Sequence, residues 1–199
     1  MKIIIITSNE RFITPKNITC LLKGLKSKNH IIYGQILSAS PLNRKKSILS
    51  KLLQTINVFG LKFALFYGFL FLKGLLFKTS VKNCFRSEGV PTITLNGDIN
   101  SDLNISKLLE IEPDLIISIL GNQIYKDRLL SLPKFGCINL HTSLLPKYRG
   151  VMPTFWALKN NEQEIGVTVF LMDKGIDSGP ILNQSKMEIK NGETQYSLI

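Results

Sequence analysis

The feature that most constrains the fold is an alternation of short apolar, β-branched runs with longer segments of helical periodicity. This pattern is typical of β–α–β units, and it predicts an α/β domain with a mainly parallel central sheet and helices on both faces. The predicted strands are Lys2–Thr7, Ile31–Ile36, Thr92–Leu95, Leu115–Ile119, Cys137–Leu140, Gly166–Met172 and Ile181–Glu188. The predicted helices lie near Pro15–Ser27, Ser101–Glu110, Gln123–Ser131 and Pro153–Asn160.

One segment, Ile48–Phe77, departs from this alternation. The chain has 199 residues, 44% of them apolar and 20% charged, which predicts a single folded domain over residues 1–199. Nine of the ten residues between Lys62 and Lys73 are apolar, and crossing a bilayer needs about 20. We predict a helical insertion at about residues 48–78 that packs on the sheet or against a partner subunit, as in a homodimer, in preference to a membrane interface.

The net charge of +11 is concentrated in the first half of the chain. Residues 11–87 contain fourteen Lys or Arg and no acidic residue, whereas residues 88–199 contain ten basic and thirteen acidic residues. A region of one sign indicates a polyanionic partner, which includes nucleotides, nucleic acids and anionic membranes. A solvated basic surface explains the same distribution equally well.

The cysteines and the N-terminus indicate the compartment. Cys20, Cys84 and Cys137 are far apart and form no C-x-x-C pair, which argues against a disulfide framework or a structural zinc site. The start "MKIIIITSN" lacks the long apolar region and cleavage site of a signal peptide. We expect this segment to be the first strand of a cytoplasmic protein.

Asn139 and His141 lie two residues apart at the end of a predicted strand, in "CINLHTSLLPKYRG". Side chains two apart in a strand share one face, with Cα atoms separated by about 6.6 Å. Parallel sheets bind ligands beyond the carboxyl ends of their strands. The spacing therefore predicts that both side chains face one site, while Ile138 and Leu140 pack into the core.

A second polar loop, "MDKGIDSGPIL", follows the next predicted strand. Asp173 and Asp177 flank Gly175, and glycines in such a loop let backbone groups approach a flat ligand. We predict that Asp177 is the carboxylate directed into the site. Each of these elements alone is weak, because a histidine at a strand end is more often structural than catalytic.

Together the two motifs resemble the signature of the 10-formyltetrahydrofolate-dependent formyltransferases. That signature runs Asn-x-His, Ser-Leu-Leu-Pro and a distant Gly-x-Asp-x-Gly-Pro loop. This chain has "NLHTSLLPKYRG" from Asn139, "EIGVTVFLMD" from Glu164 and "GIDSGPI" from Gly175. The resemblance is strong over Ile111–Leu182 and loose in the N-terminal units, and it implies a Rossmann-like formyltransferase domain.

The resemblance implies formyl transfer to a primary amine, without a covalent enzyme intermediate. Attack on the formyl carbon makes its oxygen negative, and Asn139 together with protonated His141 would donate hydrogen bonds to that oxygen. Asp177 would orient the imidazole and favour its charged form. Either Asp177 or a water that it positions would carry the proton from the attacking nitrogen.

The same resemblance assigns the co-substrate, 10-formyltetrahydrofolate, to two loops. The matching positions are Leu120, Gly121, Asn122 and Gln123 in the first loop and Asp173, Lys174 and Gly175 in the second. Gly121 either permits close approach of a planar ring or is simply the turn residue at a strand end. No metal is expected, because two histidines offer too few ligands for a catalytic zinc.

The amine acceptor is the finer question. Family members formylate initiator methionyl-tRNA, glycinamide ribonucleotide or nucleotide-linked amino sugars. "KYRGVMPTFWAL" departs from the Trp-Arg-Gly-Ala-Ala-Pro form of the tRNA enzymes, and "SNERFITPKN" lacks their Gly-Thr-Pro-Glu-Phe element. The chain also lacks their C-terminal β-barrel domain. We predict a nucleotide-linked amino sugar, with methionyl-tRNA as the alternative; Arg44, Lys45 and Lys46 would suit a diphosphate or a tRNA backbone equally.

Other interpretations stay open at this point. The basic half and the aromatic insertion would also suit a non-catalytic module that binds anions or makes peripheral membrane contact. Water in place of the amine would make the same three residues hydrolyse the formyl donor. The final "NGETQYSLI" resembles the opening of a further helix from Glu193, so a truncated chain is one interpretation.

Overall fold

The computed structural model describes residues 1–8, 14–37, 47–77 and 79–198. Its seven strands form one sheet in the order β3-β2-β1-β4-β5-β6-β7. Strands β1 to β5 are parallel, and β6 and β7 run antiparallel to their neighbours. The strands are β1 Lys2–Ser8, β2 Ile31–Leu37, β3 Thr92–Ile93, β4 Leu115–Ile119, β5 Cys137–His141, β6 Glu164–Leu171 and β7 Ile181–Glu188. The α/β prediction is confirmed.

Seven helices are found in the described residues. They are α1 Thr14–Lys26, α2 Ile48–Phe59, α3 Leu61–Leu76, α4 Val81–Ser87, α5 Asp102–Leu109, α6 Asp127–Leu130 and α7 Pro153–Lys159. Helix α4 was not predicted. Ser80 caps its N-terminus, and the Ser80 hydroxyl accepts a hydrogen bond from the Asn83 N–H. Of these helices, none combines the length and apolarity needed to cross a membrane.

The core lies on both faces of the sheet. In β1, Ile4 and Ile6 pack into a cluster with α5, whereas Ile3 and Ile5 pack on the other face against α1 and α4. A strand that is buried on both faces is apolar at consecutive positions, which explains the "IIII" run of β1. The continuous apolar strand fixes β1 at the centre of the sheet.

Three predicted elements are shorter than expected or absent because their hydrogen bonds are made elsewhere. Strand β3 stops at Ile93, an edge position paired only with β2, and the Thr94 carbonyl accepts a hydrogen bond from Lys107. Helix α6 begins only at Asp127, because Gln123 and the Lys126 N–H bond to the preceding loop. Residues 194–198 form a hydrogen-bonded turn, and the helix predicted from Glu193 is absent from the described part of that segment.

The insertion is a helical hairpin, α2–α3, which we call the apolar hairpin. Gly60 separates its two helices with a φ of 88°, a left-handed value that favours glycine. Only Leu70 and Gly74 of α3 are fully buried. Most of the apolar surface of this segment is therefore exposed in the single chain, and the expectation that it packs on the sheet or against a partner subunit stays a prediction.

Candidate active site

Strand β5 carries Asn139 and His141 to the carboxyl end of the parallel sheet. Asn139 pairs in register with Ser118 of β4 and Phe170 of β6, and His141 pairs with Thr168. Ile138 and Leu140 pack into the cluster on the α1 side of the sheet. Asn139 and His141 therefore share the opposite face, as the two-residue spacing predicts.

The His141 ring lies between two oxygen atoms. Its Nε2 is 2.8 Å from the Tyr148 carbonyl oxygen, and its Nδ1 is 3.5 Å from Asp177 Oδ2. A carbonyl only accepts hydrogen bonds, so Nε2 carries a hydrogen. The second neighbour, the Asp177 carboxylate oxygen, is also an acceptor. The side chain is 8% exposed, so ligand access to the ring is narrow.

Asp177 reaches the ring from the loop between β6 and β7. The Gly150 N–H donates to its Oδ2 at 2.7 Å, which fixes the carboxylate at the far end of the turn after β5. Its φ of 48° is left-handed, a conformation that aspartate tolerates better than most residues. Asp177 Oδ1 has no hydrogen-bond partner in the part of the chain that the structure describes. That oxygen is the acceptor left for a ligand.

The turn after β5 is tied down by buried polar contacts from β6 and β7. Thr168 Oγ1 donates to the Ser143 carbonyl at 2.6 Å and accepts the Leu145 N–H at 3.2 Å. Gln184 Nε2 donates to Thr168 Oγ1 and to the Leu145 carbonyl, at 3.0 and 2.8 Å. The Leu145–Pro146 peptide is cis. These contacts fix the main chain of the turn and place the Tyr148 carbonyl beside His141.

Tyr148 is itself anchored through its side chain. Its φ is 56°, and its hydroxyl donates to Glu162 Oε1 at 2.8 Å and accepts from Asn160 Nδ2 at 3.0 Å. The hydrogen bond from Tyr148 and those from Lys147 lower the pKa of Glu162 from its ordinary value of 4.5. A left-handed tyrosine is sparsely populated unless its surroundings fix it, and the Glu162 carboxylate provides that fixation.

Asn139 is the available donor of the site. Its side chain is half-buried and makes no hydrogen bond to any described residue, in contrast to Nε2 of His141. An amide that is partly accessible and unpaired can donate two hydrogen bonds to a ligand. We call Asn139, His141, the turn 143–150 and the loop 173–179 the β5 rim.

The first loop predicted to hold the co-substrate is partly structural. Leu120 has a φ of 51° and is exposed, as are Gly121 and Asn122. A Cβ on Gly121 would lie 2.8 Å from Ser118 Oγ, so packing on β4 is sufficient reason for this glycine. Gln123 accepts the Ile99 N–H and donates to the Gly97 carbonyl. The side chain of Gln123 thus joins two loops instead of facing a ligand.

The second predicted loop is shaped by Asp173. Its Oδ1 accepts the Gly175 N–H at 2.9 Å and the Ser178 hydroxyl at 2.8 Å. Lys174 Nζ lies 2.8 Å from Asp127 Oδ2, at the start of α6. The second loop therefore lies beside the start of α6, the helix that follows the first predicted loop in sequence.

Two buried groups lie on the same side of the sheet as Asn139. Burial raises the pKa of the Tyr125 hydroxyl, and it raises the pKa of the Cys137 thiol to about 12. Both groups are neutral near pH 7. They belong to the packed support beneath the β5 rim and offer no reactive thiolate or phenolate.

Surface concavities elsewhere do not coincide with this chemistry. A cavity of about 250 Å³ lies at the amino ends of β2 and β3, at the edge opposite the β5 rim. Another, of about 440 Å³, lies between α1 and α4 and is lined by Lys16, Lys23, Cys20 and Cys84. Neither cavity contains a predicted site residue. Within the described ranges, no group of three His, Cys, Asp or Glu is placed to hold a metal ion.

Sequence reasoning missed three contributors to the β5 rim. The Tyr148 carbonyl and the Gly150 N–H are main-chain groups, so residue type carries no direct signal for them. Thr168 is buried and occupies one of the β6 positions that face the site. An inward-facing threonine in an otherwise apolar strand is the signal that could have identified it.

Comparison with known proteins adds independent information. A family model described as formyl transferase matches residues 78–199, more than half of the chain. The methionyl-tRNA formyltransferase of Kosmotoga olearia is 41% identical over 118 residues, which cover 59% of this chain and 38% of that protein. The chain thus spans less than half the length of this curated relative.

Two solved structures share the fold. Phosphoribosylglycinamide formyltransferase from Anaplasma phagocytophilum has a TM-score of 0.66 at 21% identity, covering 100% of this chain and 77% of that one. WlaRD, a sugar 3N-formyl transferase crystallised in the presence of dTDP and 5-N-formyl-THF, has a TM-score of 0.53 at 22% identity, covering 100% and 56%. At these identities the likeness concerns the fold alone.

Proposed function

The chain belongs to the formyl transferase family, and we propose that it transfers a formyl group from 10-formyltetrahydrofolate to a primary amine. The observation that carries this proposal is the meeting of Asn139, His141 and Asp177 from two distant segments. The carboxylate approaches the ring to 3.5 Å, and the amide is left unpaired on the same face. The half-buried amide can donate to a ligand on that face.

The chemistry needs donors for a developing oxyanion. The attacking amine nitrogen forms a bond to the formyl carbon, whose oxygen becomes negative before the bond to the folate nitrogen breaks. Asn139 donates to that oxygen through its amide hydrogens. The Nδ1–H of His141 is shared, because its 3.5 Å separation from Asp177 exceeds a normal hydrogen bond and leaves it able to turn to a ligand.

The proton balance passes through the carboxylate. The amine loses one proton as it becomes an amide, and the folate nitrogen gains one as it leaves. The unpaired Oδ1 of Asp177 accepts the first proton, and the same group or a water then returns it. The positive charge of His141 beside Asp177 stabilises the charges that build up between these steps.

For the co-substrate, the exposed and adjacent loops around Leu120–Asn122 and Asp173–Gly175 are the residues that would hold it. Their proximity through Lys174 and Asp127 supports this assignment. Main-chain groups of such loops can bind the polar edge of a flat ring. Gln123 would contribute by holding the first loop in place.

The acceptor that the sequence relatives favour is the amine of methionyl-tRNA. The Kosmotoga olearia protein, 41% identical over the matched segment, carries that name. A nucleotide-linked amino sugar is the second candidate, and it is favoured by the departures from the tRNA-enzyme pattern in "KYRGVMPTFWAL". The basic residues Arg44, Lys45 and Lys46, predicted to meet a polyanionic acceptor, lie outside the described residues.

The test supplies purified chain with 10-formyltetrahydrofolate and either methionyl-tRNA or a nucleotide-linked amino sugar, and follows the absorbance of the released folate. We expect turnover that depends on the amine. His141→Ala should lose turnover while keeping its circular dichroism spectrum. Formate release at the same rate without any amine would assign hydrolysis instead, and an active His141→Ala protein would remove the proposed role of the ring.

A further inference from the structure

The apolar hairpin exposes an unusual amount of apolar surface. Thirteen of the 27 large apolar side chains that are exposed in the described residues lie between Leu49 and Phe77. Contiguous apolar patches beyond a few hundred Å² are rare on monomeric proteins and mark interaction sites. This surface is separate from the β5 rim and is not used by the formyl-transfer chemistry.

One side of the hairpin attaches it to the rest of the domain. Phe63 and Tyr67 stack with ring centroids 4.3 Å apart, and Phe59 contacts Phe155 of α7 edge-to-face at 5.0 Å. Leu70 and Gly74 continue the same side of α3 and are buried. Phe66 of α3 also contacts Tyr196 edge-to-face at 5.9 Å, and most of the remaining side chains of α3 are exposed.

The opposite side of α3 is apolar and open. Leu65 is 65% exposed, Phe69 63% and Leu72 59%. Residues of a helix turn by about 100° each, so these three lie within about 60° of one another around the axis. Leu49, Leu52 and Leu53 of α2 form a second exposed stripe at the spacing of one helical face.

Lysines border this apolar side. Lys62 and Lys73 are eleven residues apart, which places them at nearly the same angle around α3, about 20° apart. Both are exposed, and neither forms an ion pair with any described residue. Lysines at the edge of an apolar helix face can bury their methylene chains and keep their ammonium groups at a polar boundary.

The charge distribution distinguishes two candidate partners for the exposed apolar side of α3, a second copy of the chain and an anionic membrane. A second copy docked on the same face would bring the lysines of both hairpins together, and residues 11–87 contain no carboxylate to neutralise them. An anionic bilayer offers hydrocarbon for the apolar side and phosphate or carboxylate for the lysines. We propose that the apolar hairpin binds the surface of an anionic membrane, with α3 lying in the plane of the interface.

The test is co-sedimentation of the 199-residue chain with vesicles of phosphatidylcholine alone or with about 30% phosphatidylglycerol. We expect binding to the anionic vesicles to be about tenfold stronger or more, and to weaken with salt. Lys62→Gln/Lys73→Gln should reduce it about tenfold. Leu65→Glu/Leu72→Glu should abolish binding to both kinds of vesicle.

Leu109→Glu, at an exposed position on α5 outside the hairpin, is the matched control and should bind like the wild type. Analytical ultracentrifugation without lipid gives the competing outcome. A wild-type dimer that ignores anionic vesicles and becomes monomeric in Leu65→Glu/Leu72→Glu would assign the face to a second copy and overturn the proposal. Equal binding to neutral and anionic vesicles would overturn the role of the lysines.

Discussion

The β5 rim and the apolar hairpin differ in how completely their side chains are matched with partners. At the rim, His141, Asp177, Thr168 and Gln184 engage one another or the main chain over 2.6 to 3.5 Å. On the hairpin, one side of α3 is packed and the other presents leucine and phenylalanine to solvent. The rim is defined from within the chain, whereas the hairpin surface requires an external partner to become buried.

The match to known sequences follows the same division. The family model covers residues 78–199, which contain the whole β5 rim, and does not extend to the hairpin. The charge also changes near this boundary, because acidic residues resume at Glu88 after an acid-free stretch. The two proposals assign separable tasks, chemistry to the rim and membrane binding to the hairpin, and three substitutions and one labelling experiment test the separation.

The largest expected effect follows from Asn139→Ala. Loss of the Asn139 amide, which makes no hydrogen bond to any described residue, should lower kcat about 100-fold to 1,000-fold, because a donor to a developing oxyanion contributes that much elsewhere. Steady-state kinetics with the preferred amine measure it. Vesicle binding should stay at the wild-type level, and a parallel loss of binding would contradict the separation of tasks.

Thiol reactivity should distinguish the buried support of the β5 rim from the exposed surface of α1 almost as sharply. Cys137 is buried beneath the rim with its pKa raised to about 12, whereas Cys20 on α1 is exposed. Because the thiolate is the reactive form, Cys137 should react at least about 100-fold more slowly at pH 7.5. Timed labelling with iodoacetamide followed by peptide mass spectrometry measures both rates. Comparable rates in the folded protein would show that the rim opens readily.

Thr168→Val should destabilise the support of the rim. Its hydroxyl serves the Ser143 carbonyl, the Leu145 N–H and Gln184, and valine leaves these buried groups without that partner. The expected loss is about 1–3 kcal/mol in the free energy of unfolding. Urea denaturation measures it. Ser50→Ala in α2, at an exposed position, is the control on the hairpin side, and an equal loss there would erase the contrast between the regions.

The smallest effect concerns Glu162, whose lowered pKa makes its contribution depend on pH. A carboxyl with a lowered pKa in the folded state stabilises the protein above its ordinary pKa of 4.5, and the contribution disappears as pH falls through the lowered value. Glu162→Gln should therefore melt at a lower temperature than the wild type at pH 7. The two melting temperatures should converge as the pH falls below the lowered pKa of Glu162; a constant difference at all pH values would exclude the charge as the cause.

Much of the fold was predictable because strands of a parallel sheet that is buried on both faces need consecutive apolar residues. The apolar run of β1 and the polar pair Asn139 and His141 followed from periodicity alone. The predicted helix α6 began too early, because the sequence does not indicate that the Gln123 side chain hydrogen-bonds to the loop before α5. Such long-range hydrogen bonds depend on topology that local patterns do not encode.

The hairpin shows a different limit of prediction. Its composition correctly indicated helices, yet apolar residues were expected to be buried, and only the tertiary structure reveals which side of α3 faces away from the domain. At the rim, Asp177 was identified through its sequence motif, while the Tyr148 carbonyl was not. The sequence identifies side chains directly, but it does not show in which direction a main-chain carbonyl or N–H points.

That carbonyl has a consequence for how this protein responds to genetic change. The acceptor that holds the His141 imidazole belongs to the peptide backbone, so alanine scanning deletes the phenol of Tyr148 but leaves the oxygen itself present. A substitution at residue 148 can move this carbonyl oxygen but cannot remove it. Replacing the amide link between Tyr148 and Arg149 by an ester, through chemical protein synthesis, would weaken the acceptor without altering any side chain.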